Sequence, residues 1–217
     1  RDDVESRGLG DVYKRQLQSQ INPHFIYNTL NSIKWMATIQ HAPGIAEMTT
    51  ALAHLLKNIA KGATTIITLR DEIELLREYI TIQKYRYGGT ITVEYEIEEE
   101  ALLETRILRF TLQPLVENAI FHGIEPKGQS GKILIHVYRI PDGHVQIDIT
   151  DDGIGMDEDE ILRILNEPSS EKAHFFRQIG IASVNKRIQY NFGPEYGLSA
   201  TSVPGQYTTM SIKLPET

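Results

Sequence analysis

Cysteine is absent from the 217 residues, which excludes disulfides, thiolate catalysis and cysteine–zinc centres. Long apolar runs are absent too. None approaches the ~18–20 residues a bilayer crossing needs, and no secretory signal is visible. Positive charge is in short supply: 22 Lys and Arg stand against 29 Asp and Glu, a formal net charge of −7. No basic cluster stands out from that background, which argues against a nucleic-acid footprint. It says nothing against a bound nucleotide, whose phosphates need only local donors. The remaining composition, 41% hydrophobic and 24% charged, is that of an ordinary globular chain. Its length suits one large or two small domains.

Periodicity divides the chain. Residues 1–16 are polar and weakly periodic, and read as a non-native or disordered leader. Ile26, Leu30, Ile33 and Ala37 fall on one face of a helix predicted over 17–39, which Pro23 should kink. His41-Ala42-Pro43-Gly44 reads as a turn, and Met48, Leu52, Leu55, Leu56 and Ile59 stripe a second helix that Lys61-Gly62 ends. Nothing else in this half covers the two stripes, so dimerisation into a four-helix bundle is expected. A third helix is predicted over 70–87, closed by Gly88-Gly89, where the pattern changes. Ile91, Val93, Tyr95 and Ile97 alternate as in a half-buried strand. A helix is expected over 104–122, strands around 133–137 and 145–149, helices over 157–166 and 179–192, an irregular stretch over 167–178, and closing strands over 196–203 and 207–214. The second half reads as an α+β layered domain with helices on one face of a mixed sheet.

Four motifs carry chemistry. In Gln20-Ile21-Asn22-Pro23-His24-Phe25-Ile26-Tyr27-Asn28-Thr29-Leu30-Asn31, His24, Asn28 and Asn31 lie opposite the apolar stripe. A neutral imidazole so exposed is a competent nucleophile, and Asn28 is one turn away to support it. His24 has no second ligand at i+3 or i+4, against a metal site. In Leu112-Gln113-Pro114-Leu115-Val116-Glu117-Asn118-Ala119-Ile120-Phe121-His122-Gly123, two polar residues stand in an apolar helix and need partners. The Asn118 carbonyl is a hard ligand suited to Mg²⁺. Asp151-Asp152-Gly153-Ile154-Gly155-Met156 follows a strand. Its glycines allow close backbone approach to a ligand, and its strand-end carboxylate can accept from an exocyclic amine such as that of adenine. Gly180 opens the last helix and leaves N–H groups that favour phosphate. Each motif alone has an ordinary structural reading; their order carries the argument.

From Leu17 to Pro215 the chain resembles the LytS/YesM-type sensor histidine kinases, in the YesM-like branch. Q-I-N-P-H-F-I-Y-N-T-L-N, Q-P-L-V-E-N-A-I-F-H-G-I-E-P-K and N-F-G-P-E-Y-G-L-S carry the likeness most specifically. Tyr79-Ile80-Thr81-Ile82-Gln83-Lys84-Tyr85-Arg86-Tyr87 is similar to the family's link into its ATP domain. The resemblance implies dimerisation and histidine-phosphotransfer helices over 17–69, a connecting helix over 70–89, and a Bergerat/GHKL-type α/β-sandwich ATP domain over 90–217. It implies His24 as phosphoacceptor, Asn118 on Mg²⁺ bridging the ATP phosphates, Asp151 on adenine, Gly153 and Gly155 shaping the pocket, and His122 within it. Residues 167–178 would form a lid ending at Gly180. The implied partners are a second copy of the chain and a response-regulator receiver domain. The implied location is the cytoplasmic side of a membrane-anchored bacterial parent, whose sensor region precedes this stretch. Three residues depart from the family pattern: Gln178 and Tyr207 replace glycines, and Ser183 an asparagine. Related hydrolytic ATPases carry a glutamate where Pro114 stands, which favours transfer to histidine, with Glu117 kept as a candidate base. Two rivals stay open: an ATP-binding pseudokinase acting as an interaction module, and a hydrolytic GHKL-type ATPase.

Overall fold

A computed structural model describes residues 23–166 and 180–216. The chain divides into two compact units, one up to His54 and one from Leu55 onwards. Two helices make up most of the first stretch, α1 (Pro23–Ile39) and α2 (Pro43–Ala60). Residues 17–22, and with them the predicted kink, lie outside the described residues. In α1, Ile26, Leu30 and Ile33 are half-buried and Ala37 buried, whereas His24, Asn28 and Asn31 are exposed, as the period requires. Other large apolar side chains of this unit are uncovered: Phe25, Trp35, Met36, Ile39 and Ile45. His41 takes a positive φ of 54° at the turn.

The second unit follows β1 (Ile66–Thr68) with α3 (Leu69–Arg86). Thr68 caps α3 by accepting from the Asp71 N–H at 3.2 Å, Asp71 and Glu72 sit in its first turn, and Lys84 and Arg86 in its last. Gly88 and Gly89, at φ 61° and 79°, turn the chain out of it. After β2 (Ile91–Ile97) comes the one clear departure from the periodicity. Residues 100–104 form a short 3-10 turn and Arg106–Leu108 a strand, β3, paired antiparallel with β1. The helix expected over 104–122 starts at Leu112 instead. The run Ile107-Leu108 is apolar enough for either state, and long-range pairing with Ile66–Thr68, which no local pattern reveals, decides for strand. Helix α4 (Leu112–Asn118) then widens into a π-type turn over Ala119–Ile124.

The remaining elements are β4 (Gly131–Arg139), β5 (Val145–Asp151), α5 (Glu158–Asn166), α6 (Ile181–Phe192), β6 (Gly197–Val203) and β7 (Tyr207–Leu214). The expected irregular stretch over 167–178 lies outside the described residues. Five strands form a mixed sheet in the order β2-β4-β5-β7-β6, with β2 and β4 parallel and every other neighbour antiparallel. One face is apolar at period two: Ile133, Ile135 and Val137, then Val145, Ile147 and Ile149, then Met210, Ile212 and Leu214 are all buried. Against it pack Leu69, Ile73, Leu76 and Tyr79 of α3, Leu112, Leu115 and Val116 of α4, and Val184 and Ile188 of α6. The result is an α/β sandwich with its helices on one face.

Candidate functional site

The inward register of β5 runs Val145, Ile147, Ile149, Asp151, so the same alternation that builds the core drives a carboxylate into it. Asp151 is 1% exposed. Burial pushes its carboxyl up to about 6, against the Gly153 N–H, which donates to Oδ1 at 2.9 Å. Two glycines make room for it. A Cβ on Gly123 would stand 2.3 Å from Asp151 Oδ1, and one on Gly153 2.3 Å from the Gly123 carbonyl carbon. The Ile154 N–H donates to the Gly123 carbonyl at 3.0 Å. The asparagine helix and the D-x-G-x-G turn are therefore packed backbone to backbone over the carboxylate. Gly155, at φ 69°, lies against the β6–β7 turn: a Cβ there would meet Val203 O at 2.2 Å, and the Gly205 N–H donates to Ile154 O at 2.5 Å.

Asn118 is buried on α4, and its Nδ2 has no hydrogen-bond partner among the described residues. That NH₂ group suits an acceptor on a ligand, such as a phosphate oxygen, while Oδ1 of the same amide is a hard oxygen of the kind Mg²⁺ takes. No group of three or more His, Asp or Glu fit to hold a metal exists among the described residues. Glu117, also buried, accepts from Gln113 Nε2 at 3.2 Å and lies beside the Tyr79 phenol, which burial and then Glu117 push up. Its carboxylate is engaged on the α3 side of α4. His122 is exposed.

Gly180 precedes α6 in extended geometry without a side-chain cap, and its carbonyl accepts from the Ser183 and Val184 N–H groups at 2.9 and 3.0 Å. Of the first-turn donors, that leaves the Ile181 and Ala182 N–H groups for an anion. Of the three departures from the family pattern, Ser183 is exposed, Tyr207 is half-buried at the start of β7, and Gln178 lies outside the described residues.

Several positions escape a reading of local motifs. Gly123 ends the asparagine motif, and its glycine identity was the available signal. Ser202 and Thr208 had none. Ser202 Oγ accepts from the Met156 N–H at 2.8 Å, donates to Tyr207 O at 2.7 Å, and stands 2.9 Å from Thr208 Oγ1. Thr208 is paired across the sheet with Asp151. Lys127 Nζ donates to the Asp152 carbonyl at 2.8 Å and lies 3.4 Å from its Oδ2, tying the end of the asparagine segment to the strand end.

In the first unit, Asn28 Nδ2 stands 3.3 Å from His24 Nδ1 and 3.4 Å from Nε2, and both side chains are exposed.

Residues 14–91 match the profile of the histidine kinase family, and residues 103–217 that of the histidine kinase-, DNA gyrase B-, and HSP90-like ATPases. The chain is 36% identical over 201 residues to the sensor histidine kinase YesM of Bacillus subtilis, covering 93% of this chain and 33% of that protein. It is 32% identical over 200 residues to the sensor histidine kinase BtsS of Escherichia coli, covering 92% and 32%. It thus spans about a third of the length of these relatives. Among solved structures, histidine kinase ThkA in complex with the response regulator protein TrrA aligns at a TM-score of 0.50 and 18% identity, over 99% of this chain and 64% of that one. A mycobacterial sensor histidine kinase, MprB, aligns at 0.51 and 16%, over 70% and 96%. At such identities the structures speak for the fold alone.

Proposed function

The chain belongs to the histidine kinase-, DNA gyrase B-, and HSP90-like ATPase family, among the YesM-type sensor histidine kinases, and from that premise we propose that it moves the γ-phosphoryl group of ATP to His24. The observation that carries the reading is the buried Asp151 carboxylate, held under the backbone-to-backbone contact of Gly123 and Gly153. An ionised carboxylate there accepts from the adenine amino group, and the glycines let the base approach the backbone. Asn118 would offer its side-chain carbonyl to Mg²⁺, whose charge when bound would neutralise the phosphates. The Ile181 and Ala182 N–H groups at the start of α6 would donate to phosphate oxygens.

At the acceptor, Asn28 Nδ2 stands within reach of both ring nitrogens and supports the orientation of the imidazole, whose neutral form keeps one nitrogen lone pair to attack. The N–P bond forms as the bond from the γ-phosphorus to the bridging oxygen breaks, and that electron pair leaves with ADP. The ring proton goes to solvent. Glu117, engaged with Gln113, is better suited to holding α4 than to taking this proton. The phosphoryl group then passes to an aspartate of a response-regulator receiver domain. The uncovered Phe25, Met36 and Ile39, at i, i+11 and i+14 on α1, support pairing with a second copy of the chain. Among the described residues no helix is long and apolar enough to cross a membrane; the parent is proposed to be membrane-anchored through a sensor region outside this stretch.

The test is incubation of the purified chain with Mg²⁺ and γ-labelled ATP. The proposal expects acid-labile label that His24→Ala abolishes. Nucleotide binding without label would favour the pseudokinase reading. Sustained phosphate release that survives His24→Ala would favour a hydrolytic ATPase.

A further inference from the structure

Helix α4 begins with donors that its own residues do not satisfy. Thr111, the residue before it, makes no side-chain cap; its hydroxyl donates instead to Leu108 O at 2.6 Å. The acceptor comes from another helix. Glu72, in the first turn of α3 and 1% exposed, takes the Phe110 N–H on Oε2 at 2.9 Å and the Thr111 and Leu112 N–H groups on Oε1 at 2.7 and 2.9 Å. Presenting these donors to one carboxylate accompanies a φ of 58° at Phe110, a left-handed conformation that a bulky aromatic rarely adopts. A cap from a distant helix, held at the expense of backbone strain, fixes α4 relative to α3.

The grip recurs past the other end of α4. The Arg86 guanidinium lies 5.3 Å from the Phe121 ring centroid and 5.2 Å from that of Tyr87, and Tyr87 Oη donates to Glu125 Oε2 at 3.3 Å. The start of α3 meets the start of α4, and its end meets the π-type turn, so the two run in the same sense. A third element joins at Glu72. Arg187 of α6 lends it positive charge and itself donates to the carbonyls of Ala63 and Arg109.

We propose that Glu72 is a positioning residue of the nucleotide site: by capping α4 from α3 it fixes that helix along its axis and so sets where the Asn118 amide stands. Asn118 follows the capped end by six residues, roughly 9 Å of helix, close enough for a shift of the cap to be transmitted without loss. A movement of α3 along its axis would then reach the Asn118 amide directly, and Asp151, on the sheet, only through the Gly123 contact. The inference rests on the assignment of Asn118 and Asp151 to the nucleotide made above.

The variant is Glu72→Gln, studied at pH 8. Oε1 keeps the Thr111 and Leu112 bonds, while an amide replaces Oε2 and meets the Phe110 N–H donor to donor. Binding of ATP is measured by calorimetry with Mg²⁺ and, separately, in EDTA, with thermal melting as the check on folding. Expected is a Mg²⁺-dependent affinity weakened roughly tenfold, with a clearly smaller loss in EDTA and the Asn118 side-chain amide resonance displaced. Glu72→Asp, which keeps the charge and shortens its reach, replaces Glu72→Gln should that variant not fold. Unchanged Mg²⁺-ATP affinity in a folded variant would overturn the proposal, and so would an equal loss with and without Mg²⁺, the mark of a merely structural role. Failure of the wild-type chain to bind ATP at all would instead strike the functional reading beneath it.

Discussion

Replacing Gly123 by alanine adds one methyl group against Asp151. The new Cβ would stand 2.3 Å from Oδ1, 2.9 Å from Cγ and 3.3 Å from Oδ2. An ordinary contact needs about 3.5 Å, so the carboxylate must retreat by about 1 Å. A charge-assisted hydrogen bond to adenine contributes about 1.5–3 kcal/mol, and a displacement of that size forfeits most of it. Gly123→Ala should therefore weaken ATP binding by roughly ten- to a hundredfold. Overpacking should lower the stability of the apo protein by about 1–3 kcal/mol. Gly153→Ala is the sharper companion. Its Cβ would meet Gly123 backbone atoms at 2.3–2.4 Å, which no side-chain rotation relieves, so that variant should fail to fold. Calorimetric titration with an ATP analogue gives the affinity, and thermal melting the stability. If folded Gly123→Ala bound ATP within threefold of wild type, the buried carboxylate would not be the base-recognising group and the site would have to be redrawn.

Other outcomes follow from the same geometry. Asn118→Ala should lower Mg²⁺-dependent affinity or turnover by roughly 10–100-fold, a range reached even when only the partners of a metal ligand are removed; unchanged activity would reassign the metal contact. Asp151 and Glu72 have folded pKa values pushed by burial to about 6 and about 7, above their unfolded values. Their stabilising contribution is fully present below those unfolded values and is lost as pH rises through 6 and 7, on the order of 3 kcal/mol each. Melting of the apo protein should show this fall, and Asp151→Asn should remove its share. The gain in melting temperature from saturating ATP should run the other way, larger at pH 7.5 than at 5.5, because the proposed hydrogen bond from the adenine amine is strongest to the ionised carboxylate. Trp35, the single tryptophan, is 68% exposed and lies on the His24 face of α1 at i+11. Titration with a cognate receiver domain should change its emission, and no change at saturation would place the docking surface elsewhere.

The candidate site is legible in the sequence where chemistry and periodicity coincide. The alternation that buries Val145, Ile147 and Ile149 also buries Asp151, and the helical period that covers Ile26, Leu30 and Ile33 exposes His24 and Asn28. What stayed hidden is long-range. Ile107 and Leu108 become a strand because Ile66 and Ile67 are there to pair with them. Ser202 and Thr208 reach the Asp151 strand end through sheet register. Glu72 reads as an ordinary first-turn acid, suited to the dipole of its own helix; its three bonds go to the start of another. The buried Gly123 looked like the end of a motif, and its need for the absent Cβ comes from a residue 28 positions on.

The most direct test of the account is to locate the phosphate. After brief incubation with Mg²⁺-ATP and digestion at neutral to alkaline pH, the tryptic peptide Gln16–Lys34, in which His24 is the only histidine, is fragmented in the mass spectrometer. The account predicts one added phosphoryl group on His24, lost on mild acid treatment. Phosphate on Ser19, Tyr27, Thr29 or Ser32, or a fully unmodified peptide from protein that binds ATP, would contradict it.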